Sequence, residues 1–302
     1  GKLIDRTNQA GLADLKGWWN GITGRDIDND GDIDYAVSNF GLNTKYHPSK
    51  NKPASLYYGD FGEEDAMRIA EAKYENETLL PVRGKSCTTA AMPFLSEQAA
   101  SFHEFAKSSL AELFTNESLD TSLRLEANEL ASGILINEGD GRFSFQPLPR
   151  IAQISPVFGL ALTDVNGDGF SDLYMVHNFY SPQRETTRMD GGVSLLLEGR
   201  GDGTFSEVWP HQSGLIVPGD AKSLATVDLN RDGWVDFVVG VNDGPVRAFE
   251  NAGQAVNRPL AVNLRGEPGN LAAVGSRVSV TNASGGRQTA EVYAGGGYLS
   301  QS

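Results

Sequence analysis

A run of apolar residues, an acidic turn and a second apolar run recur three times along this chain. Phe158-Gly-Leu-Ala-Leu-Thr163 and Ser223-Leu-Ala-Thr-Val227 lead into two of the turns. Tyr-Ala-Val-Ser-Asn-Phe (35–40), Leu-Tyr-Met-Val-His-Asn-Phe (173–179) and Phe-Val-Val-Gly-Val (237–241) leave all three. Runs this short, rich in β-branched and aromatic residues, predict buried strands. Downstream, Asn137-Glu-Gly-Asp-Gly-Arg-Phe143 and Gly199-Arg-Gly-Asp-Gly-Thr-Phe205 place an Asp-Gly turn before an aromatic, which predicts hairpins. The later two acidic turns start at Asp164 and Asp228, a separation that suits one four-stranded propeller blade. The pattern therefore predicts an all-β chain whose repeating unit is strand, acidic turn, strand, hairpin.

Two regions break that rhythm. Within 86–132, Ala99, Phe102, Phe105, Ala106, Leu110 and Leu113 recur at helical spacing, and Leu119, Leu123, Ala127 and Leu130 form a second such series ahead of Gly133. They predict two amphipathic helices inserted into a blade connection, with Gly133 as a C-terminal cap. From about Asn257, Leu-Ala-Val-Asn-Leu-Arg (260–265) and Gly-Ser-Arg-Val-Ser-Val-Thr (275–281) alternate like exposed strands and predict a separate small β module. The predicted organisation is blades over 1–85, a helical insertion over 86–132, blades over 133–256 and the β module over 257–302. A fourth, degenerate turn, Asp60 to Arg68, lacks Gly at its sixth position and a carboxylate at its ninth, and is expected to hold no metal.

The three intact turns share the formula D-x-[DN]-x-D-G-x-x-D. They comprise Asp26, Asp28, Asp30, Asp32 and Asp34; Asp164, Asn166, Asp168, Phe170 and Asp172; and Asp228, Asn230, Asp232, Trp234 and Asp236. Side-chain oxygens at positions 1, 3, 5 and 9, with the backbone carbonyl of position 7, can wrap one hard cation. Gly at position 6 permits the sharp turn. An EF-hand is excluded, because position 12 is Val37, Met175 or Val239 where a bidentate Glu is required, and the flanks read as strands. The first turn alone gathers five carboxylates. At an effective dielectric of about 20, each like-charged pair about 5 Å apart costs roughly 3 kcal/mol, so a bound Ca²⁺ is expected to collapse the loop. About three structural Ca²⁺ sites follow from the three turns.

Net charge is −14, and eleven of the acidic residues lie in these three turns. No basic run is present, which argues against nucleic acid or an anionic membrane as partner. No apolar run reaches bilayer-spanning length. Cys87 is the single cysteine, so neither a disulfide framework nor a thiolate metal site is available. Loops of this type bind calcium at the concentrations found outside cells, which points to the cell exterior, the cell surface or the periplasm. The start at Gly1 and the end inside a strand-like stretch read as a mature piece or a fragment.

Turns of this formula between strands, with N-x-G-D-G-x-F hairpins, resemble FG-GAP (VCBS) repeats, the blades of integrin α-subunit propellers and of many secreted bacterial proteins. Ala-Val-Gly-Ser-Arg-Val-Ser-Val (273–280) and Gly-Gly-Gly-Tyr-Leu-Ser-Gln-Ser (295–302) are similar to the ASPIC/UnbV domain, which follows such repeats in bacterial surface proteins and in the cartilage acidic protein family. The resemblance implies a β-propeller of FG-GAP-like blades, partial in this chain, with a helical insertion and a C-terminal β module that stops short. It also implies that each acidic turn joins the innermost strand of a blade to the next. Residues six to eight places earlier would then line the opposite face beside the central channel: Trp18, Trp19 and Asn20; Phe158 with its neighbours; Asp220 and Lys222 with Ala221. A long polar loop from Asn178 to Asp190, carrying Tyr180, Arg184, Arg188 and Asp190, is a candidate recognition loop. Aromatics mixed with polar groups there suit a sugar or a peptide, although plugging the channel would equally account for them. Arg200-Gly-Asp202 lies inside a repeat hairpin, where turn geometry explains it.

Catalysis finds little support. His47, His103, His177 and His211 are scattered, and no nucleophile elbow, phosphate loop or dinucleotide fingerprint occurs. The expectation is a non-catalytic, calcium-stabilised propeller binding a protein or glycan. Two alternatives stand beside it: a carbohydrate-active enzyme or its accessory subunit, and a structural subunit of an extracellular assembly.

Overall fold

The computed structural model describes residues 2–62, 66–182, 186–253, 260–282 and 285–295. Antiparallel sheets dominate, and the chain divides into two units.

The first unit contains Gly1–Ala13, Trp19–Asn43 and Ala131–Ser302. Its first blade starts with β1 (Gly21–Arg25) and β2 (Asp34–Ser38). The chain then leaves to build the second unit through β3 (Ala54–Asp60), β4 (Met67–Glu75), β5 (Thr78–Pro81) and β6 (Leu123–Ala127). It returns as β7 (Gly133–Asn137) and β8 (Phe143–Pro147), which complete the sheet β1-β2-β7-β8. The second blade is the uninterrupted meander β9 (Val157–Thr163), β10 (Asp172–His177), β11 (Leu195–Gly199) and β12 (Phe205–Val208). The third has three strands, β13 (Asp220–Val227), β14 (Asp236–Asn242) and β15 (Arg247–Phe249). A two-stranded hairpin, β16 (Arg277–Thr281) and β17 (Arg287–Glu291), lies in the C-terminal stretch. This is an all-β partial propeller, with β1, β9 and β13 side by side as innermost strands.

Blade stacking follows from strand alternation, because successive side chains point to opposite faces. In the second blade, Leu160, Leu162, Leu173 and Met175 meet Ile27, Ala36, Ile134 and Ile136 of the first. The intervening Ala161, Tyr174, Val176 and Leu196 meet Leu224, Phe237 and Val239 of the third. Both faces are thus buried, which explains the near-continuous apolar runs.

In the second unit the sheet order is β5-β4-β3-β6, not the sequential order of a blade. The degenerate turn connects β3 to β4 and so lies in this unit; its residues 63–65 fall outside those described. Among the described residues Asp60 accepts from the Gly62 amide at 2.9 Å, and Arg68 forms no ion pair with it. Five short helices cover one sheet face: α1 (Lys85–Ala91), α2 (Leu95–Gln98), α3 (Phe102–Lys107), α4 (Leu110–Phe114) and α5 (Asn116–Thr121). Leu95, Phe105, Leu110, Leu113 and Phe114 pack there against Tyr57, Phe61, Ala70 and Ala72.

These observations correct the helical expectation. Capping boxes at Ser101/Glu104 and Ser109/Glu112 restart the helix twice, so the first amphipathic series is split between α3 and α4, and Phe102 stays exposed. The second series ends at Thr121, and Leu123–Ala127 is a strand paired with β3. Its Leu-Arg-Leu-Glu-Ala alternation satisfies a period of two as well as it does a helix. Gly133 opens β7 and is no cap: a Cβ there would stand 2.2 Å from the Phe145 ring. The insertion that the structure delimits is Thr44–Leu130 with Asp14–Trp18, wider than 86–132, and β3 and β4 join the helices in it. The expected boundary at 256/257 falls outside the described residues.

Candidate functional sites: three acidic turns and a cleft

Each acidic turn joins the first two strands of a blade: β1 to β2, β9 to β10 and β13 to β14. Their backbones repeat one conformation. Position 4 is left-handed in all three (Asn29 φ 63°, Gly167 φ 75°, Arg231 φ 64°), and so is position 6 (Gly31 97°, Gly169 97°, Gly233 91°). Asn29 and Gly167, residue types that favour the left-handed region, signal the position-4 requirement in two turns, and Arg231 hides it in the third.

Hydrogen bonds repeat with the backbone. The position-5 carboxylate accepts from the position-7 amide: Asp30 from Asp32 at 2.7 Å, Asp168 from Phe170 at 2.8 Å and Asp232 from Trp234 at 2.8 Å. The position-9 carboxylate accepts from the position-2 amide: Asp34 from Ile27, Asp172 from Val165 and Asp236 from Leu229. Its second oxygen accepts from Asn137, Gly199 and Asn251 respectively, which ties each turn to the far end of the third strand of its blade.

The first turn differs at position 1. Asp164 and Asp228 each accept two amides from their own turns. Asp26 is 2% exposed, and neither of its carboxylate oxygens has a hydrogen-bond partner of ordinary geometry. The carboxylates of Asp26, Asp28 and Asp34 offer oxygens within 4.8 Å of one another, the one such acidic group among the described residues. In the other turns Asn166 and Asn230 replace the middle carboxylate, and their amides donate to Asp168 and Asp232.

Burial raises the affinity of these groups for protons. It pushes Asp34 up to about 6 and Asp172 up to about 7, each against two backbone amides that favour the charged form. Burial also raises Asp26, Asp28 and Asp164, with neighbouring carboxylates adding to it. At the end of β1, burial lowers the Arg25 guanidinium, while Asp164, Asp26 and Asp172 act to keep it charged. Sequence reading missed this residue, which electrostatically bridges the first two turns. A buried carboxylate within a set of oxygen donors, turned on a left-handed Gly, fits a hard divalent cation.

At the opposite ends of β9 and β13 lies a cleft of about 790 Å³. Phe158, Tyr180, Arg188, Asp220 and Lys222, all expected from the sequence, line it together with Phe179, Asn242, Asp243 and Arg247. Two bulges aim its central residues. Register slips opposite His177 and Val176 leave Phe158 unpaired in β9, and a slip between Ala221 and Ser223 leaves Lys222 unpaired in β13. The Lys222 ammonium therefore sits 3.5 Å from the Phe158 ring centroid and 4.9 Å from that of Phe179. It donates to the Asn178 carbonyl at 2.6 Å and pairs with Asp220 at 2.7 Å. Burial lowers its pKa, and Asp220 opposes that shift. Arg188 stacks 3.6 Å from the Tyr180 ring centroid, on the exposed side.

The remaining candidates go elsewhere. Trp18 belongs to the second unit, where it meets Tyr46 edge-on at 5.0 Å. Trp19 packs on Phe145. Asn20 donates to the Val157 carbonyl at 3.0 Å, joining the first blade to the second. Asp190 does not line the cleft and lies 3.8 Å from Arg188. Arg184 lies outside the described residues. Phe179 lay within the candidate loop without being singled out, and the Asn242–Arg247 segment was missed, because a turn sequence after a strand carries no sign of which cavity it borders.

Blades of this form and a C-terminal β hairpin are similar to FG-GAP-type propellers with an appended module. Residues 186–239 match the FG-GAP-like repeat, and residues 266–302 match ASPIC and UnbV. Integrin alpha-3 from Mus musculus is 28% identical over 115 residues, covering 35% of this chain and 10% of the integrin. Integrin alpha-3 from Cricetulus griseus matches to the same extent. The chain thus spans about a tenth of the length of these curated relatives. Among the described residues no helix is long and apolar enough to cross a membrane.

Proposed function

We propose that this chain is a calcium-stabilised, non-catalytic propeller of the cell exterior that binds a protein or glycan ligand in the cleft between its second and third blades. The observation that carries this reading is the cleft itself. A buried cation held by two rings, a stacked Arg–Tyr pair and a carboxylate converge there from β9, β13 and the loop after β10. Aromatic faces beside fixed polar groups suit stacking on a sugar ring or holding a peptide side chain. The calcium assignment is supported by the three matching turns and by the buried Asp26 carboxylate grouped with Asp28 and Asp34. Repeat kinship with integrin alpha-3 supports an adhesion-type role and an extracellular setting.

The test is a glycan and peptide array probed with the calcium-loaded chain and with Tyr180→Ala/Arg188→Ala. Binding that the double variant loses supports the cleft, and binding that it retains removes the cleft from the reading. Turnover of a bound polysaccharide would favour the enzyme alternative instead. The assembly-subunit alternative has its own observation: Tyr58, Met67, Ile69, Leu123 and Leu125 leave an apolar face exposed on the second unit's sheet. Light scattering at millimolar calcium distinguishes it, since a strict monomer argues against self-assembly through that face.

A further inference from the structure

The β16–β17 hairpin lies over the first two acidic turns. The Asp26 amide donates to the Thr289 carbonyl at 3.3 Å, and Gln288 Nε2 donates to the Gly169 carbonyl of the second turn at 2.6 Å. Thr289 is 2% exposed, and its hydroxyl lies 3.1 Å from that of Ser279 on the paired strand. Arg277 pairs with Asp32 at 3.4 Å. The Arg287 guanidinium covers Gly31 so closely that a Cβ there would stand 2.5 Å from one of its nitrogens. Farther along, the Tyr293 hydroxyl occupies the space beside Gly24 in β1 and donates to Glu291 at 3.2 Å.

Charge explains why arginines face one turn and a glutamine the other. Relative to its two sisters, the first turn carries two additional carboxylates. Asp28 stands where they have Asn166 and Asn230, and Asp32 where they have Phe170 and Trp234. One divalent ion satisfies the shared carboxylates better than it does this surplus. Arg277 and Arg287 bring two positive charges to that turn, whereas neutral Gln288 meets the backbone of the second. Asp32 sits at position 7, which offers a cation its carbonyl, so its side chain is free to pair with Arg277.

We propose that the C-terminal hairpin is a charge-matched cover for the first two acidic turns, whose docking and calcium binding form one coupled equilibrium. Arg277, Arg287, Gln288 and Thr289 act as positioning residues for the turns. The inference rests on the calcium reading above. Calcium collapses the turns into the shape that the hairpin recognises, and by reciprocity a docked hairpin holds them ready for the ion.

The experiment is hydrogen exchange of the full chain, read in Arg277–Thr281 and Arg287–Glu291, with calcium heats recorded on the same samples. Chelation with EGTA is expected to speed exchange in both strands by about 5-fold or more, the lower end of ordinary site coupling. Arg277→Asp is expected to loosen the hairpin in saturating calcium, and Asp32→Arg combined with Arg277→Asp to restore protection. Calcium binding with unchanged exchange in both strands overturns the coupling and leaves the calcium reading standing. Failure of the charge swap to restore protection overturns the charge match. A chain that takes up no calcium overturns both the calcium reading and the coupling, while the swap still decides the charge match.

Discussion

In the second blade, β9 and β10 are buried along their whole lengths, with alternate residues meeting the first blade and the third. In the sheet β5-β4-β3-β6, short helices cover one face, while Tyr58, Ile69, Leu123 and Leu125 on the other face meet solvent. Both sheets have four antiparallel strands. Strand count and pairing alone therefore do not make a blade. A blade needs a neighbouring blade packed on at least one face and a turn that fixes the exit of its innermost strand. The insertion sheet lacks the intact turn, orders its strands differently and buries one face with helices.

The largest effect that would break this comparison comes from removing calcium. A site held at a hundredfold its Kd stabilises a fold by about 2.7 kcal/mol, so on the proposed calcium reading three sites would contribute several times the effect of an ordinary point substitution. EGTA is expected to lower the melting temperature of the first unit and leave that of the second unchanged, read by calorimetry or by exchange in each unit. Equal shifts in both units would contradict it.

Core truncation comes next. Leu197→Ala removes a fully buried side chain of the second blade and is expected to cost about 2–5 kcal/mol in urea unfolding. Leu125→Ala on the exposed face, where the residue is 54% exposed, is expected to change stability by no more than about 0.5 kcal/mol.

A third effect depends on pH. His177 closes β10, fully buried, and burial pushes its pKa down to about 4. The unfolded chain binds this proton from about pH 6.5, while the folded chain does not. Its contribution to stability is therefore complete above about 6.5 and is lost as pH falls toward 4. The whole loss amounts to roughly 3 kcal/mol. His177→Phe is expected to flatten the melting temperature over that window, and an unchanged acid slope would assign the lability elsewhere. The smallest stability effect belongs to Leu125→Glu: it should leave melting nearly unchanged and alter only light scattering, if the apolar face serves assembly.

Residues 26–34, 164–172 and 228–236 made the turns readable because their chemistry is local. Each candidate donor position is fixed by spacing, and each Gly by a left-handed backbone. The strands beside them were equally readable, since period-two burial is written directly in residue order. Leu123–Ala127 was not readable, because its alternation fits a helix or a strand until β3 presents an edge to pair with. The first blade's division between β2 and β7 was hidden for the same reason, as partners nearly a hundred residues apart leave no local trace.

Sequence alone thus determined the repeating unit, the candidate donor sets of the three turns and five of the residues that meet in the cleft. Tertiary structure decided which sheet is a blade and which is an insertion, how two bulges bring Phe158 and Lys222 together, and that the C-terminal hairpin lies on the first two turns. The division has one cause. Backbone conformation and ligand spacing depend on residues a few positions apart, whereas pairing, register slips and docking depend on surfaces that exist only once distant segments have packed.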